Sequence, residues 1–173
     1  MAPAQRARRL AGAGLLATLV AGGLVLTVTT AEAATVFSAD FESGTSGWSK
    51  SGGSWSVVSD GSQVLQQSDP GSERAREFAG STAWTNYSVQ ARVKATAFGS
   101  SAGTVALTAR AAGATKMYRL SLTGANRVQL ESMSGSSITV LGGVSQTISS
   151  GTWYTLRLVV NGSSITANAP AMP

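Results

Sequence analysis

The sequence predicts an all-β domain built as an antiparallel sandwich, and three observations carry that expectation. Beyond position 34, apolar residues recur with period two in short runs, and no stretch keeps a helical period over three turns. Clusters of Gly, Ser, Asn and Asp such as S-D-G-S, T-G-A-N and N-G-S-S separate the runs, and these residues accept turn conformations at little cost. Successive runs are spaced by about eight to twelve residues, as in sandwiches joined by hairpins.

The chain opens with Arg6, Arg8 and Arg9, runs through an apolar stretch at 15–26, and reaches Ala31-Glu32-Ala33 with small residues at both cleavage-determining positions. Residues 1–33 are predicted to be a secretory signal peptide, and residues 34–173 a single domain. Glycines within the apolar stretch, its threonine-rich end and the A-x-A site argue against a retained anchor. The expected location is therefore extracellular, with no membrane contact after cleavage. The remaining 140 of 173 residues are enough to bury roughly two thirds of their unfolded surface.

Three basic residues and Glu32 leave with the leader, so ten basic and seven acidic residues remain and the net charge falls from +5 to +3. That bias is too mild for a nucleic-acid partner. The sequence contains no cysteine and no histidine. A core or a bound ion must then hold an exported chain that no disulfide restricts. Without histidine, the usual general base, the usual zinc ligand and the serine–histidine triad are missing, which excludes most hydrolase chemistries.

In chain order, strands are expected at 36–42, 54–58, 63–67, 75–78, 87–94, 104–110, 117–122, 128–133, 138–141, 147–148, 153–160 and from 165 onward. Alternation is clearest in Y-S-V-Q-A-R-V-K, M-Y-R-L-S-L and W-Y-T-L-R-L-V-V. Serine, glycine and threonine sit between these patterns rather than in one block, so their abundance marks turns and not a linker.

Some positions stand out against that background. In a strand over 36–42, Asp40 and Glu42 share one face and Phe41 points to the other. Both carboxylates could then meet one Ca2+, a cation that takes several hard oxygens, with carbonyls from S-G-T-S-G completing the set. The competing reading is a charged edge strand that discourages pairing between molecules. Phe41, Trp48, Tyr118 and Tyr154 read as core. Arg92, Arg119, Glu131 and Arg157 each lie between core-phase residues, and Arg110 closes V-A-L-T-A-R in the outward phase. If their strands are neighbours in one sheet, four guanidinium groups and one acid share a surface. Arginine's fork pairs bidentately with carboxylates, so such a surface suits an acidic polymer. An ordinary solvated face is the alternative. E-R-A-R-E at 73–77 reads as a screened surface strand without chemistry. No two acids are placed to face each other across a cleft as glycoside hydrolysis requires.

Taken in order, A-D-F-E-S-G-T-S-G-W-S, G-G-S-W-S-V-V-S-D-G-S-Q-V-L-Q-Q-S, W-T-N-Y-S-V-Q-A-R-V-K, M-Y-R-L-S-L and G-T-W-Y-T-L-R-L-V-V-N-G-S-S-I-T-A cover nearly all of 36–167. This series resembles the laminin-G-like, concanavalin-A-like jelly-roll modules attached to secreted bacterial polysaccharide-degrading enzymes, notably pectate lyases. The resemblance implies a jelly-roll sandwich that binds glycans on a concave sheet face. It also implies a structural Ca2+ near the first strand, with Asp40 and Glu42 at the matching positions. In such modules further strands follow the position of N-A-P-A-M-P, and the last lies beside the first strand. The expectation is a C-terminally truncated module, without the catalytic β-helix, whose open sheet edge favours self-association.

The expected function is that of a secreted, noncatalytic carbohydrate-binding module for plant or microbial polysaccharide, with pectin-like acidic polymers favoured by the outward arginines. Two alternatives belong to other classes. One is a small secreted polysaccharide lyase or glycoside hydrolase, or a fragment of one, working without histidine. The other is a structural or adhesive envelope protein. A turnover assay on pectin separates the first from a module, and a glycan array separates the second.

Overall fold

The computed structural model describes residues 5–9, 34–69 and 74–169. Its regular elements are all strands: β1 (Gln5–Arg9), β2 (Thr35–Ala39), β3 (Trp48–Ser51), β4 (Trp55–Ser59), β5 (Gln63–Gln67), β6 (Arg76–Ala79), β7 (Tyr87–Val93), β8 (Thr104–Ala109), β9 (Lys116–Thr123), β10 (Arg127–Ser134), β11 (Ser137–Ser145), β12 (Tyr154–Asn161) and β13 (Ser164–Asn168). Every pairing is antiparallel. A five-stranded sheet in the order β13-β12-β7-β1-β2 faces a four-stranded meander in the order β11-β10-β9-β8, and the ribbons β3–β6 and β4–β5 complete the fold.

The core lies between the two large sheets and follows from parity. Along β12, Tyr154, Leu156, Leu158 and Val160 are buried while Arg157 and Asn161 are exposed. Leu120 and Leu122 of β9, Val128 of β10, Ala109 of β8 and Tyr87 of β7 pack into the same cluster. Burying each of the larger aliphatic side chains contributes about 1.5–3 kcal/mol, which is what a chain without disulfides needs. Two tyrosines tie strands to loops by their hydroxyls: that of Tyr87 accepts from the Arg110 amide at 2.7 Å, and that of Tyr154 accepts from the Ser149 amide at 2.8 Å.

Turn chemistry closes the meander. Asn126 sits at φ 57 between β9 and β10, where asparagine tolerates the left-handed conformation. Its side-chain carbonyl accepts the Ile148 amide at 2.8 Å, so Ile148 is buried without belonging to a strand. The strand expected at 147–148 is therefore a loop pinned from the β9–β10 turn.

Other expectations also need correction. The first strand of the predicted domain stops at Ala39, not at 42, because Phe41 takes φ 63 and turns the chain. Residues 48–51, which lie outside the expected strands, pair with β6. Of the predicted leader, residues 1–4 and 10–33 lie outside the described residues, and Gln5–Arg9 form β1. This strand sits between β2 and β7, with Ala7 opposite Phe37 on one side and Val89 on the other.

Candidate functional site

The outward arginines do not share one surface. Arg92 lies on β7 and Arg157 on β12, neighbours in the five-stranded sheet, where Arg157 pairs with Gln90. Arg119 lies on β9 and Glu131 on β10, directly opposite each other in the meander. The two sheets pack core face to core face, so their outward faces are on opposite sides of the sandwich. Arg110 belongs to neither face. Just past β8 at φ 52, its guanidinium donates to the carbonyls of Thr85 (3.1 Å) and Gly162 (2.5 Å), fastening two loops.

On the five-stranded sheet the cations are either solvated or occupied. Arg157 is exposed. The Arg92 guanidinium carbon lies 5.0 Å from the centroid of Trp153, and the Lys94 ammonium is equally close to that ring while also pairing with Asp60. These contacts hold the half-buried Trp153 at the surface, with modest stabilisation of about 0.5–1 kcal/mol for an exposed cation–π pair.

The outward side of the meander differs. Glu131 is only 5% exposed and Ser121 is fully buried, although neither faces the main core. A single oxygen of Glu131, Oε2, accepts from Arg119 Nε at 2.5 Å and from Ser121 Oγ at 2.6 Å. Met117 and Met133 on the same side are also buried. The side chain of Arg76, from β6, reaches this group, with Nη2 3.5 Å from the Met133 sulfur and Nη1 3.3 Å from the Arg74 carbonyl. Burial, and then the neighbouring Arg119 and Arg74 charges, hold the Arg76 guanidinium below its ordinary value. Arg74, Arg76, Met117, Arg119 and Ile138 line part of a wide open cleft, and Glu131 lies beneath that lining.

Chemically, then, Glu131 is a support and not a displayed charge. It fixes Arg119 through Nε and leaves the two Nη nitrogens without a hydrogen-bond partner among the described residues. The rim is apolar: Ile138 and Val140 of β11 are 48% and 50% exposed, and they lie opposite Met133 and Glu131 respectively. None of the outward positions of β8, β9, β10 or β11 holds an aromatic residue, so a ligand here would meet charge and aliphatic surface.

Sequence reasoning missed Arg76, although a signal was present. In R-E-F-A, Arg76 shares the parity of Phe78, so it lies on the same face of the ribbon as that aromatic residue.

The Asp40–Glu42 pair is held by a turn and not by strand parity. Asp40 Oδ1 accepts the Glu42 amide at 3.1 Å, and Glu42 Oε1 accepts the Gln63 amide at 3.0 Å. Both residues are exposed. Among the described residues, no three Asp, Glu, His or Cys side chains gather as a metal site. Two carboxylates with one oxygen each already engaged are a sparse ligand set for Ca2+. Nearby, Phe41 is buried and Trp48 half-buried, their ring centroids 5.3 Å apart, with Phe37 5.9 Å from Trp48. That cluster packs the end of the fold, as the sequence implied for Phe41 and Trp48.

No family model, no curated protein and no solved structure matches the chain.

Proposed function

We propose that the chain is a secreted, noncatalytic carbohydrate-binding module of the jelly-roll kind that accompanies polysaccharide-degrading enzymes, and that polysaccharide lies across the outward face of the β8–β11 meander. The observation that supports this reading most is Glu131, which holds Arg119 in place on a sheet face outside the main core. A fixed guanidinium beside half-exposed Ile138 and Val140 offers donors for sugar oxygens and apolar contact for sugar C–H faces, the mixture that ligand sites combine. Without an aromatic platform, affinity for a short oligosaccharide is weak and rises with chain length as contacts accumulate. Electrophoresis of the protein through gels cast with pectin, xylan or dextran tests the reading: retardation by at least one polymer, with no release of sugar ends in a parallel turnover assay, is expected. Unretarded migration in every gel contradicts it, and turnover makes the chain an enzyme.

A Ca2+ ion held by Asp40 and Glu42 is a separate proposal. Binding to the folded state alone would stabilise it by about 2.7 kcal/mol at a hundredfold excess over Kd. Superimposed melting curves with calcium and with chelator would remove the ion from the account. Self-association through an open sheet edge is likewise proposed. The exposed apolar strand β11, with Val144 59% exposed, is a second edge at which it could occur.

A further inference from the structure

Arg76 is a partly desolvated cation whose contacts are poor compensation for its charge. Its Nη2 meets a thioether sulfur, a weak acceptor, and its Nη1 meets a backbone carbonyl at 3.3 Å. Among the described residues, no carboxylate lies within ion-pairing distance of it. Arg119 beside it is committed to Glu131 through Nε, and its two Nη nitrogens have no hydrogen-bond partner among the described residues. Arg76 therefore lies near Arg119 beside the buried methionines Met117 and Met133, and Glu131 accepts from Arg119 and Ser121 but from neither terminal nitrogen of Arg76. Like charges brought together on an apolar floor repel, and an anion placed between them relieves that repulsion and completes their hydrogen bonds. The only anion in the group is anchored beneath, by Ser121 as well as Arg119, and does not line the cleft.

We propose that Arg76 and the Nη edge of Arg119 form a carboxylate receptor on the outward face of the meander, and that it selects polysaccharides containing uronic acid over neutral ones. The inference rests on the reading of this face as a polysaccharide site and names the substrate class. A planar carboxylate suits the arrangement because each of its oxygens can accept from one guanidinium fork. Arg119 arrives oriented by Glu131, so little of its freedom is lost on binding. Arg76 is the specificity-determining residue: among the described residues it has no acid of its own, and the ligand supplies one.

The test compares one polymer in two charge states. Polygalacturonate and its fully methyl-esterified form share a backbone and differ in the carboxylate, and affinity electrophoresis or calorimetry with the purified full chain measures both. Wild-type protein is expected to bind the acid form about tenfold more tightly than the ester, the contrast one charge-assisted pair produces. Arg76→Gln should remove most of that preference, while Arg76→Lys should retain part of it. The acid-versus-ester contrast on wild-type protein needs no variant, so it stands even if Arg76→Gln folds poorly. Equal binding of acid and ester by wild-type protein overturns the carboxylate receptor and leaves the polysaccharide reading intact. A folded Arg76→Gln protein that keeps the full preference also overturns it. Absence of binding to either form and to neutral polysaccharides overturns both readings.

Discussion

The two large sheets are built differently. The meander β8–β11 is contiguous in sequence, each strand pairing with the next through short turns. The five-stranded sheet draws β1, β2, β7, β12 and β13 from the whole length of the chain, and its interior strand β1 comes from the predicted leader. Their outward arginines differ in the same way. Arg157 stands exposed and Arg92 rests on Trp153, whereas Arg119 is bound to a buried acid that Ser121 also holds. On the function proposed above, an outward arginine makes a site only where its surroundings fix it and partly desolvate it. The self-contained sheet provides those surroundings.

The largest effect that can break this comparison is removal of residues 1–33. A chain beginning at residue 34 leaves β2 and β7 without the strand between them, a loss of several kcal/mol if each ladder hydrogen bond contributes about 0.5–1.5 kcal/mol. Amide exchange should show β2 unprotected and β9 and β10 still protected, and light scattering should show concentration-dependent association through the exposed edges. Simultaneous loss of protection in the meander would show that the two sheets are not independent.

Next in size is Glu131→Ala, which leaves the Arg119 guanidinium unpaired in a mostly buried position. A cost of about 3 kcal/mol is expected, at the low end for a broken buried pair because Arg119 keeps some exposure to water. Arg157→Ala, on the other sheet, should change stability by no more than about 0.5 kcal/mol. Urea melts of the two variants measure the contrast, and equal losses would erase it.

A smaller effect belongs to the β3–β6 ribbon that carries Arg76. Burial raises the Glu77 carboxyl above its ordinary value, and Lys50 across the ribbon opposes the shift. A folded value above the unfolded one means that the folded chain binds more protons in that window, so this group's contribution to stability falls as pH rises from about the ordinary value of 4.5 upward. Glu77→Gln should flatten stability over that range, and an unchanged pH profile would show that the carboxyl is as well solvated as in the unfolded chain.

How much of this was legible in the sequence depended on distance along the chain. Alternation within M-Y-R-L-S-L and L-R-L-V-V placed Leu120, Leu122, Leu156 and Leu158 inward and Arg119 and Arg157 outward, because parity is a local property of extended backbone. Sheet membership is not local, and grouping Arg92, Arg119 and Arg157 on one face failed there: β7 and β12 pair with each other, and β9 with β8 and β10. Phe41 defeated the expected strand at 36–42 because no sequence rule predicts φ 63 at a phenylalanine. Arg76 was overlooked because E-R-A-R-E looked like a screened surface run, and only the tertiary fold brings it to Met133.

The central claim is that ligand binding belongs to the fixed arginine and not to the exposed one, and a paired substitution tests it most directly. Affinity for polygalacturonate is measured for Arg119→Ala and for Arg157→Ala, which remove the same charge from opposite sides of the sandwich. A loss of about tenfold in Arg119→Ala with little change in Arg157→Ala is the predicted result. Equal losses in the two would show that the polymer responds only to net charge, and the site on the meander would be contradicted.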